Sequence, residues 1–350
     1  MGKFNFVILP YRGMDFYDQY GLAVRDLQMM AAIIDSDFVK KITLIERPLT
    51  IYEKIIYKVK FKNISTRGAF SHEKVEIVRK LSFDLVGPLS GRSWTESCYD
   101  KIYDINLILD EKYMEDCINV ILDFTPIANL NIRSNTKWVY WYDLIDNFSK
   151  HNRFSPAQKK LVSKKYEIVE NKANLITGVS FGAISKFNNA IVVQNAVGVK
   201  RTKKSILNYK NKIYDFGFIG FVTDKFDIDF IKYLSDLNYS VVVYGDIYDR
   251  EIGKKLNEIK NLKLEGAFHS AEIPKLLSTF KVGLIPYIKS KMHDESPLKL
   301  YQYLQAGIPV LTSTQYDVVD KLILEYDLNS LENLESSLKY LLSNFDNPNV

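Results

Sequence analysis

The chain has 350 residues, of which 47% are hydrophobic and 25% charged, and its formal net charge is +5. These values are typical of a soluble globular protein, and the length suits two domains of about 150–200 residues each. Two cysteines exclude a disulfide framework and favour a reducing compartment, and no apolar run approaches the ~18 residues of a membrane-spanning helix. We therefore expect a cytoplasmic protein, and the short apolar run near the start is more typical of a first strand than of a secretory signal.

The first half of the chain alternates apolar runs with helical patterns. In chain order they predict a strand at 4–9, a loop with Gly13, a helix at 21–34, strands at 41–45, 120–124 and 137–142, a helix at 156–171, a strand at 175–177, a helix at 182–188 and a strand at 190–193. Residues 50–105 show no clear period and give no prediction. The predicted first domain covers residues 1–198.

The second half is more regular. A lysine- and asparagine-rich linker is predicted at 199–213, followed by strands at 215–219, 240–244, 262–264, 282–286 and 309–312. Helices are predicted between them at 225–237, 249–259, 271–280 and 297–306. This alternation predicts right-handed crossovers and a parallel sheet in a second domain at 214–327. The remaining residues, 328–350, are predicted to form a closing helix that packs back on the first domain.

Ligands of such sheets bind beyond the carboxyl ends of the strands. Residues from separate parts of the second half are expected to meet there and bind a ligand: Gly220, Phe221, Gly245, Phe268, Pro286, Tyr287 and the loop at 294–299. Their convergence predicts a binding site in the second domain.

The segment after residue 294 predicts a helix start suited to an anion. Ser296 is a favourable N-cap and Pro297 a favourable first helical residue, while Gly307 can end the helix. The backbone of Ser296, Pro297 and Leu298, the cation of Lys299 and the amide of Gln302 would then face a group such as a nucleoside diphosphate. The alternative is an ordinary capped helix that binds nothing.

Several motifs of the second half resemble the nucleotide-sugar-binding domain of GT-B glycosyltransferases of the family 4-like group. They are Tyr214-Asp-Phe-Gly-Phe-Ile-Gly220, Val241-Val-Val-Tyr-Gly245, Asn261-Leu-Lys-Leu-Glu-Gly266 and Val282-Gly-Leu-Ile-Pro286. In the first half, Trp138-Val-Tyr-Trp-Tyr-Asp-Leu-Ile-Asp-Asn-Phe148 resembles a signature of bacterial enzymes that build surface polysaccharides. The resemblance implies an α/β fold of two Rossmann-like, doubly wound parallel-sheet domains facing across a cleft.

The resemblance also implies roles for individual residues. The family's Glu-x7-Glu donor loop reads Asp294-x7-Gln302 here, which assigns Asp294 or Glu295 to the donor sugar and Gln302 to the ribose. Because Gln302 is a neutral acceptor, its contact with the ribose is expected to be weaker than that of a glutamate. Lys299 would stabilise the departing phosphates.

Two further residues are expected to act from the first domain. Asp143 would serve as general base if the reaction inverts configuration, or would orient a hydroxyl if it retains configuration. Gly13 would allow close approach of the first loop to the donor.

The implied function is metal-independent hexosyl transfer from a nucleotide-sugar, expected to be a UDP-sugar, to a glycan or lipid-linked saccharide, without a cofactor. One alternative is a non-catalytic GT-B-like subunit that binds nucleotide or supports a partner transferase, suggested by the changes at Asp294 and Gln302. Another is a sugar-nucleotide epimerase, for which no carboxylate and histidine set is identifiable.

Acidic and histidine residues do not predict a metal site. Asp227 and Asp229 begin a helix, where acids suit the helix dipole. The histidines, which lack the spacing of a zinc site, are His72, His151, His269 and His293.

Basic residues form two clusters, one at Lys150, Arg153, Lys159, Lys160, Lys164 and Lys165, and one between 200 and 212. They favour a solvated helix face and a charged linker, or a patch on the anionic inner face of a membrane. No nucleic-acid-binding module accompanies them, so nucleic acid is not an expected partner.

Overall fold

The computed structural model describes residues 2–51, 55, 68–83, 98–99, 101–197, 212–328 and 331–344. The chain divides into two compact units. Unit 1 contains Met1–Gln194 and His293–Glu295, and unit 2 contains Asn195–Met292 and Ser296–Val350. Most of the predicted linker at 199–213 lies outside the described residues.

Unit 1 is built on a parallel sheet of seven strands. Its strands are β1 (Lys3–Leu9), β2 (Val39–Ile45), β4 (Val75–Val78), β6 (Cys117–Asp123), β7 (Val139–Leu144), β8 (Leu175–Gly178) and β9 (Ala190–Val192), and β3 (Leu49–Thr50) pairs separately with β5 (Leu81–Ser82). Its helices include α1 (Met14–Tyr20), α2 (Arg25–Ile34), α3 (Ile105–Lys112), α4 (Pro156–Lys172) and α5 (Phe181–Ile184).

The order of the unit 1 sheet is β4-β2-β1-β6-β7-β8-β9. The chain therefore starts in the middle with β1, builds outward through β2 and β4, and returns to the other side of β1 with β6. Val7, Ile8 and Leu9 of β1 are fully buried, as expected for a central strand that is covered on both faces.

Unit 2 repeats this plan with six parallel strands in the order β12-β11-β10-β13-β14-β15. The strands are β10 (Tyr214–Ile219), β11 (Val241–Tyr244), β12 (Leu262–Gly266), β13 (Phe280–Ile285), β14 (Val310–Thr312) and β15 (Ile323–Glu325). The α-helices include α6 (Ile228–Asp236), α7 (Arg250–Asn257), α8 (Ile273–Leu277), α9 (Leu298–Gln305) and α10 (Leu331–Asn344). The predicted fold class of two doubly wound parallel-sheet domains is confirmed.

Three details differ from the predicted elements. The helix predicted at 21–34 begins only at Arg25, because Gly21 takes a φ of 66° and ends α1 instead. The closing helix, predicted at 328–350, is α10 at Leu331–Asn344, and its Leu334 and Leu338 are buried in the core of unit 2. Lys165, predicted on a solvated basic face, is buried and pairs with Asp123 at 2.6 Å.

No α-helix in the described part of the chain is long and apolar enough to cross a membrane.

Candidate functional site

The candidate site lies at the carboxyl ends of β10 and β13 in unit 2. These adjacent strands are where the order of the sheet reverses, since β10 leads to β11 on one side and β13 lies on the other. Gly220 follows β10, and Pro286 and Tyr287 follow β13. The reversal point of a doubly wound sheet is the usual position of a ligand.

Lys299 of α9 reaches this point. Its Nζ donates a hydrogen bond to the Tyr287 hydroxyl at 2.5 Å and lies 4.6 Å from the ring centre of Phe218. A Cβ built on Gly220 would come within 3.0 Å of the same Nζ. The lysine ammonium is therefore held between two aromatic rings, directly beside the backbone of Gly220.

Two glycines shape the backbone around that ammonium. Gly220 has a φ of 127° and Gly245 a φ of 142°, conformations that residues with a Cβ rarely adopt. A Cβ on Gly245 would also lie 1.9 Å from the Gly220 carbonyl oxygen, which leaves no room for a side chain. The structure thus requires glycine at both predicted positions for backbone reasons.

The start of α9 differs from the prediction in detail. The helix begins at Leu298 with Pro297 as N-cap, and no side chain caps it. The Ser296 hydroxyl instead lies 2.7 Å from the Tyr301 hydroxyl. The backbone carbonyl of Ser296 accepts a hydrogen bond from the Asn195 side chain at 2.5 Å. Ser296 is therefore not the capping residue that was predicted, because its hydroxyl is used by a tyrosine.

Other predicted binding residues have structural contacts in unit 2. Phe221 stacks on Tyr248 with ring centres 5.0 Å apart, and Phe268 packs against the hydrophobic core. The Pro286 carbonyl accepts a hydrogen bond from the Asp227 amide at 2.9 Å. Gln302 lies on α9 and is partly exposed.

The carboxylates of the predicted donor loop belong to unit 1. Asp294, at a φ of 61°, accepts a hydrogen bond from the Asn147 side-chain amide at 2.8 Å and pairs with Lys150 at 2.9 Å. Glu295 is buried and accepts a hydrogen bond from the His293 amide at 2.8 Å. Both acids thus have partners within unit 1, whereas Lys299 belongs to unit 2.

The geometry around Asp143 argues against the predicted general base. Its carboxylate is fully buried, accepts two hydrogen bonds from the Arg25 guanidinium at 2.8 Å and accepts one from the Thr177 hydroxyl at 2.6 Å. A base must reach the proton that it removes, and this carboxylate is enclosed by its own donors. Asp143 therefore orders the end of β7 through Arg25.

Asp227 and two of the histidines have structural contacts. Asp227 is the N-cap of α6 and accepts a hydrogen bond from the Phe230 amide at 3.1 Å, as expected for an acid at a helix start. His151 and His293 stack with ring centres 4.4 Å apart, which their sequence separation did not predict. Across the described ranges, no three His, Cys, Asp or Glu residues are grouped as a metal ion would require.

Two residues near Lys299 escaped the sequence analysis. The ring of Phe218 lies next to the Lys299 ammonium. Tyr303 fills the space beside Gly283, and its hydroxyl accepts a hydrogen bond from the Ile219 amide at 3.0 Å. Burial raises the pKa of the Tyr303 phenol, so it acts as a neutral donor and acceptor. Gly283 was the sequence signal for Tyr303, because a glycine within an apolar strand indicates close approach of another group.

Two solved structures resemble the chain over nearly its whole length. AviGT4, a glycosyltransferase involved in avilamycin A biosynthesis, is 10% identical with a TM-score of 0.53, covering 97% of this chain and 88% of that chain. An α-glucosyltransferase in complex with UDP and a 13-mer DNA with a central A:G mismatch is 14% identical with a TM-score of 0.55, covering 97% and 90%. Both are GT-B glycosyltransferases.

The chain has a GT-B-type fold. Identities of 10% and 14% establish the fold and not the activity. No protein-family model matches the sequence, and no curated protein does.

Proposed function

We propose that the chain is a glycosyltransferase that takes a sugar from a nucleotide-sugar donor, with a UDP-sugar as the expected donor. The observation that carries this proposal is the position of Lys299, whose ammonium lies beside Gly220 at the reversal point of the unit 2 sheet. A fixed cation next to the backbone of a glycine suits a diphosphate. The GT-B-type fold supports the same conclusion.

The chemistry follows from the charge that develops during transfer. As the bond between the sugar and the diphosphate breaks, negative charge accumulates on the leaving phosphate oxygens. The ammonium of Lys299 is already held by Tyr287 and Phe218, so it stabilises that charge without first being reorganised. The N-terminus of α9, the helix that carries Lys299, has no side-chain cap. It is the positive end of the helix dipole, which also favours negative charge on the phosphates.

The finer assignments belong to the same proposal. Gln302 would accept a hydrogen bond from a ribose hydroxyl, and Asp294 would contact the donor sugar. Transfer would be of a hexose without metal or cofactor, in the manner of the family 4-like enzymes that build surface polysaccharides. The acceptor would be a glycan or lipid-linked saccharide, with peripheral contact to an anionic membrane.

A donor panel tests the proposed function. The full chain is mixed in turn with UDP, GDP and their common hexose conjugates, and melting temperature and release of the free nucleotide are measured. A true ligand at about a hundred times its dissociation constant stabilises the fold by about 2.7 kcal/mol, which is well within detection. We expect UDP and at least one UDP-hexose to raise the melting temperature, and that UDP-hexose to release UDP.

Each other outcome has a distinct meaning. An unchanged melting temperature across the whole panel would contradict the donor site. Binding without release of UDP, even with saccharide acceptors present, would favour the non-catalytic subunit instead. Conversion of the UDP-hexose into its epimer would favour the epimerase.

A further inference from the structure

Unit 1 contains a cavity of about 220 Å³ at the reversal point of its own sheet. It is lined by residues that follow β1, β2, β4 and β6, among them Arg12, Glu46, Arg79 and Thr125. Its volume is below the roughly 300–1,000 Å³ typical of pockets for drug-sized ligands, so it suits a single sugar or a small charged group.

Arg12 is the unusual residue of this cavity. Its guanidinium lies 4.8 Å from the ring centre of Tyr11 and 4.9 Å from that of Phe16. Its Nε is buried and has no hydrogen-bond partner, which is also true of the Nε of Arg79. Arg79 pairs with two carboxylates, however, whereas no carboxylate in the described part of the chain forms an ion pair with Arg12. A buried arginine N–H without a hydrogen-bond partner is unfavourable. A ligand that supplies a hydrogen-bond-accepting oxygen would remove this cost.

The carboxylates of the cavity have other partners. Arg79 pairs with Glu46 at 2.6 Å and with Asp15 at 3.0 Å, and Glu46 also accepts a hydrogen bond from the Met14 amide. Asp26, behind the cavity, accepts a hydrogen bond from the backbone amide of Arg12 at 2.8 Å. The charge of Arg12 also lowers the pKa of this carboxyl, against the larger raising effect of burial, without a hydrogen bond from the guanidinium.

Among the described residues that line the cavity, the balance of charge is positive. Three of them are arginines, Arg12, Arg47 and Arg79, and two are acids, Asp15 and Glu46, both of which pair with Arg79. The aromatic rings restrict the guanidinium of Arg12 before any ligand binds, which reduces the entropy lost on binding. A planar guanidinium prepared in this way matches the oxygens of a phosphate or carboxylate.

We propose that this cavity binds the anionic group of a charged acceptor saccharide, either a phosphate or a carboxylate, through Arg12. That the ligand is an acceptor rests on the proposed transferase function, whereas anion binding by Arg12 does not depend on it. The transferase would then add its sugar to a phosphorylated or uronic acid-type acceptor and discriminate against neutral ones.

Calorimetric titration of the full chain tests the inference. The probes are glucose 6-phosphate, glucuronate and uncharged glucose, in phosphate-free buffer at constant ionic strength, and the first two distinguish a phosphate from a carboxylate ligand. A charge-assisted hydrogen bond contributes about 1.5–3 kcal/mol, so we expect at least one charged probe to bind roughly tenfold more tightly than glucose, or better. Arg12→Gln should remove that preference, and Arg12→Lys should retain part of it.

Arg133→Gln is the matched control, since Arg133 is an exposed arginine of unit 1 whose partner is Asp110 at 3.0 Å. It should leave the affinity for every probe unchanged. Equal binding of charged and neutral probes, or an unchanged affinity in folded Arg12→Gln, would overturn the inference. A comparable loss of UDP affinity in Arg12→Gln would overturn the acceptor assignment and make Arg12 a donor contact. If UDP does not bind at all but the Arg12-dependent preference persists, the proposed function fails while anion binding stands.

Discussion

At the residue scale, the position of Lys299 matters more than its charge alone. A lysine on a solvated helix samples many rotamers and loses that freedom when it binds an anion. Lys299 is instead restrained by its hydrogen bond to Tyr287 and by the rings of Phe218 and Tyr287. Part of the entropy loss therefore occurs during folding, which favours tighter binding of phosphate.

Asp26 gives a pH-dependent prediction at the same scale. Burial raises the pKa of its carboxyl to about 6, although the amide and charge of Arg12 act in the opposite direction. Between pH 4 and pH 6 the folded chain thus keeps a proton that the unfolded chain releases, so the free energy of unfolding falls as pH rises through this window. Above about pH 6 the full penalty of the buried charge is present.

Asp26→Asn removes the titrating group, so we expect its melting temperature relative to wild type to be higher at pH 7.5 than at pH 4. Comparing the two pH values cancels any fixed effect of the substitution. Asp37→Asn, at an exposed position of the same unit, should show the same difference at both pH values. A pH-independent effect of Asp26→Asn would show that folding does not raise the pKa of this carboxyl.

At the element scale, α9 is positioned by the packing of Tyr303 against β13. The Tyr303 ring is fully buried and occupies the space where Gly283 has no side chain, and a Cβ there would lie 2.5 Å from the ring. Phe280 in the same strand fills the corresponding space at Gly217 of β10, 2.1 Å from a built Cβ. Gly283 thus admits the ring that brings the helix with Lys299 close to the sheet.

We expect Gly283→Ala to destabilise the protein by about 1–3 kcal/mol, because the new methyl group overpacks the core against Tyr303. It should also weaken UDP binding, since α9 must shift. The measurement is the melting temperature together with the UDP dissociation constant.

Gly253→Ala is the matched control. Gly253 lies within α7, where a Cβ would meet only Ile247 at an ordinary 3.5 Å. Alanine there should stabilise the helix by about 0.5–1 kcal/mol and leave UDP binding unchanged. Equal effects of the two substitutions would mean that the contact with Tyr303 does not position α9.

The elements that were predictable are those with strong local signals. Strand β11 was expected at 240–244 and is Val241–Tyr244, since a buried parallel strand is apolar throughout. The strands Val75–Val78 and Ile323–Glu325 were missed, because each is short and only partly apolar. The break before α2 was missed because Gly21 can sit inside a helical pattern as well as end one.

At the scale of the whole molecule, the sequence was sufficient for the fold class but not for the pairing of charges. Regular alternation of strands and helices predicts two parallel sheets, and both are present. The pairs Arg25–Asp143 and Lys165–Asp123 join residues that are distant in sequence, and nothing local distinguishes a buried lysine from an exposed one. Asp143 was expected to act as a base because of its position after a strand, and that position does not indicate its pairing with Arg25.

The candidate site was predictable where topology alone decides it. Gly220, Tyr287 and Lys299 meet because neighbouring parallel strands end at one edge of the sheet. The contacts of Asp294 with Asn147 and Lys150 depend on long-range packing, which no motif of the donor loop encodes.

Calorimetric titration of UDP into wild type, Lys299→Ala and Lys254→Ala tests the central claim most directly. Lys254 is a surface lysine of α7 that pairs only weakly with Glu251, so its replacement controls for the loss of one charge from unit 2. We predict that wild type and Lys254→Ala bind UDP with the same affinity, and that Lys299→Ala binds at least about tenfold more weakly. UDP binding of equal strength in all three proteins would contradict the assignment of the diphosphate site to Lys299.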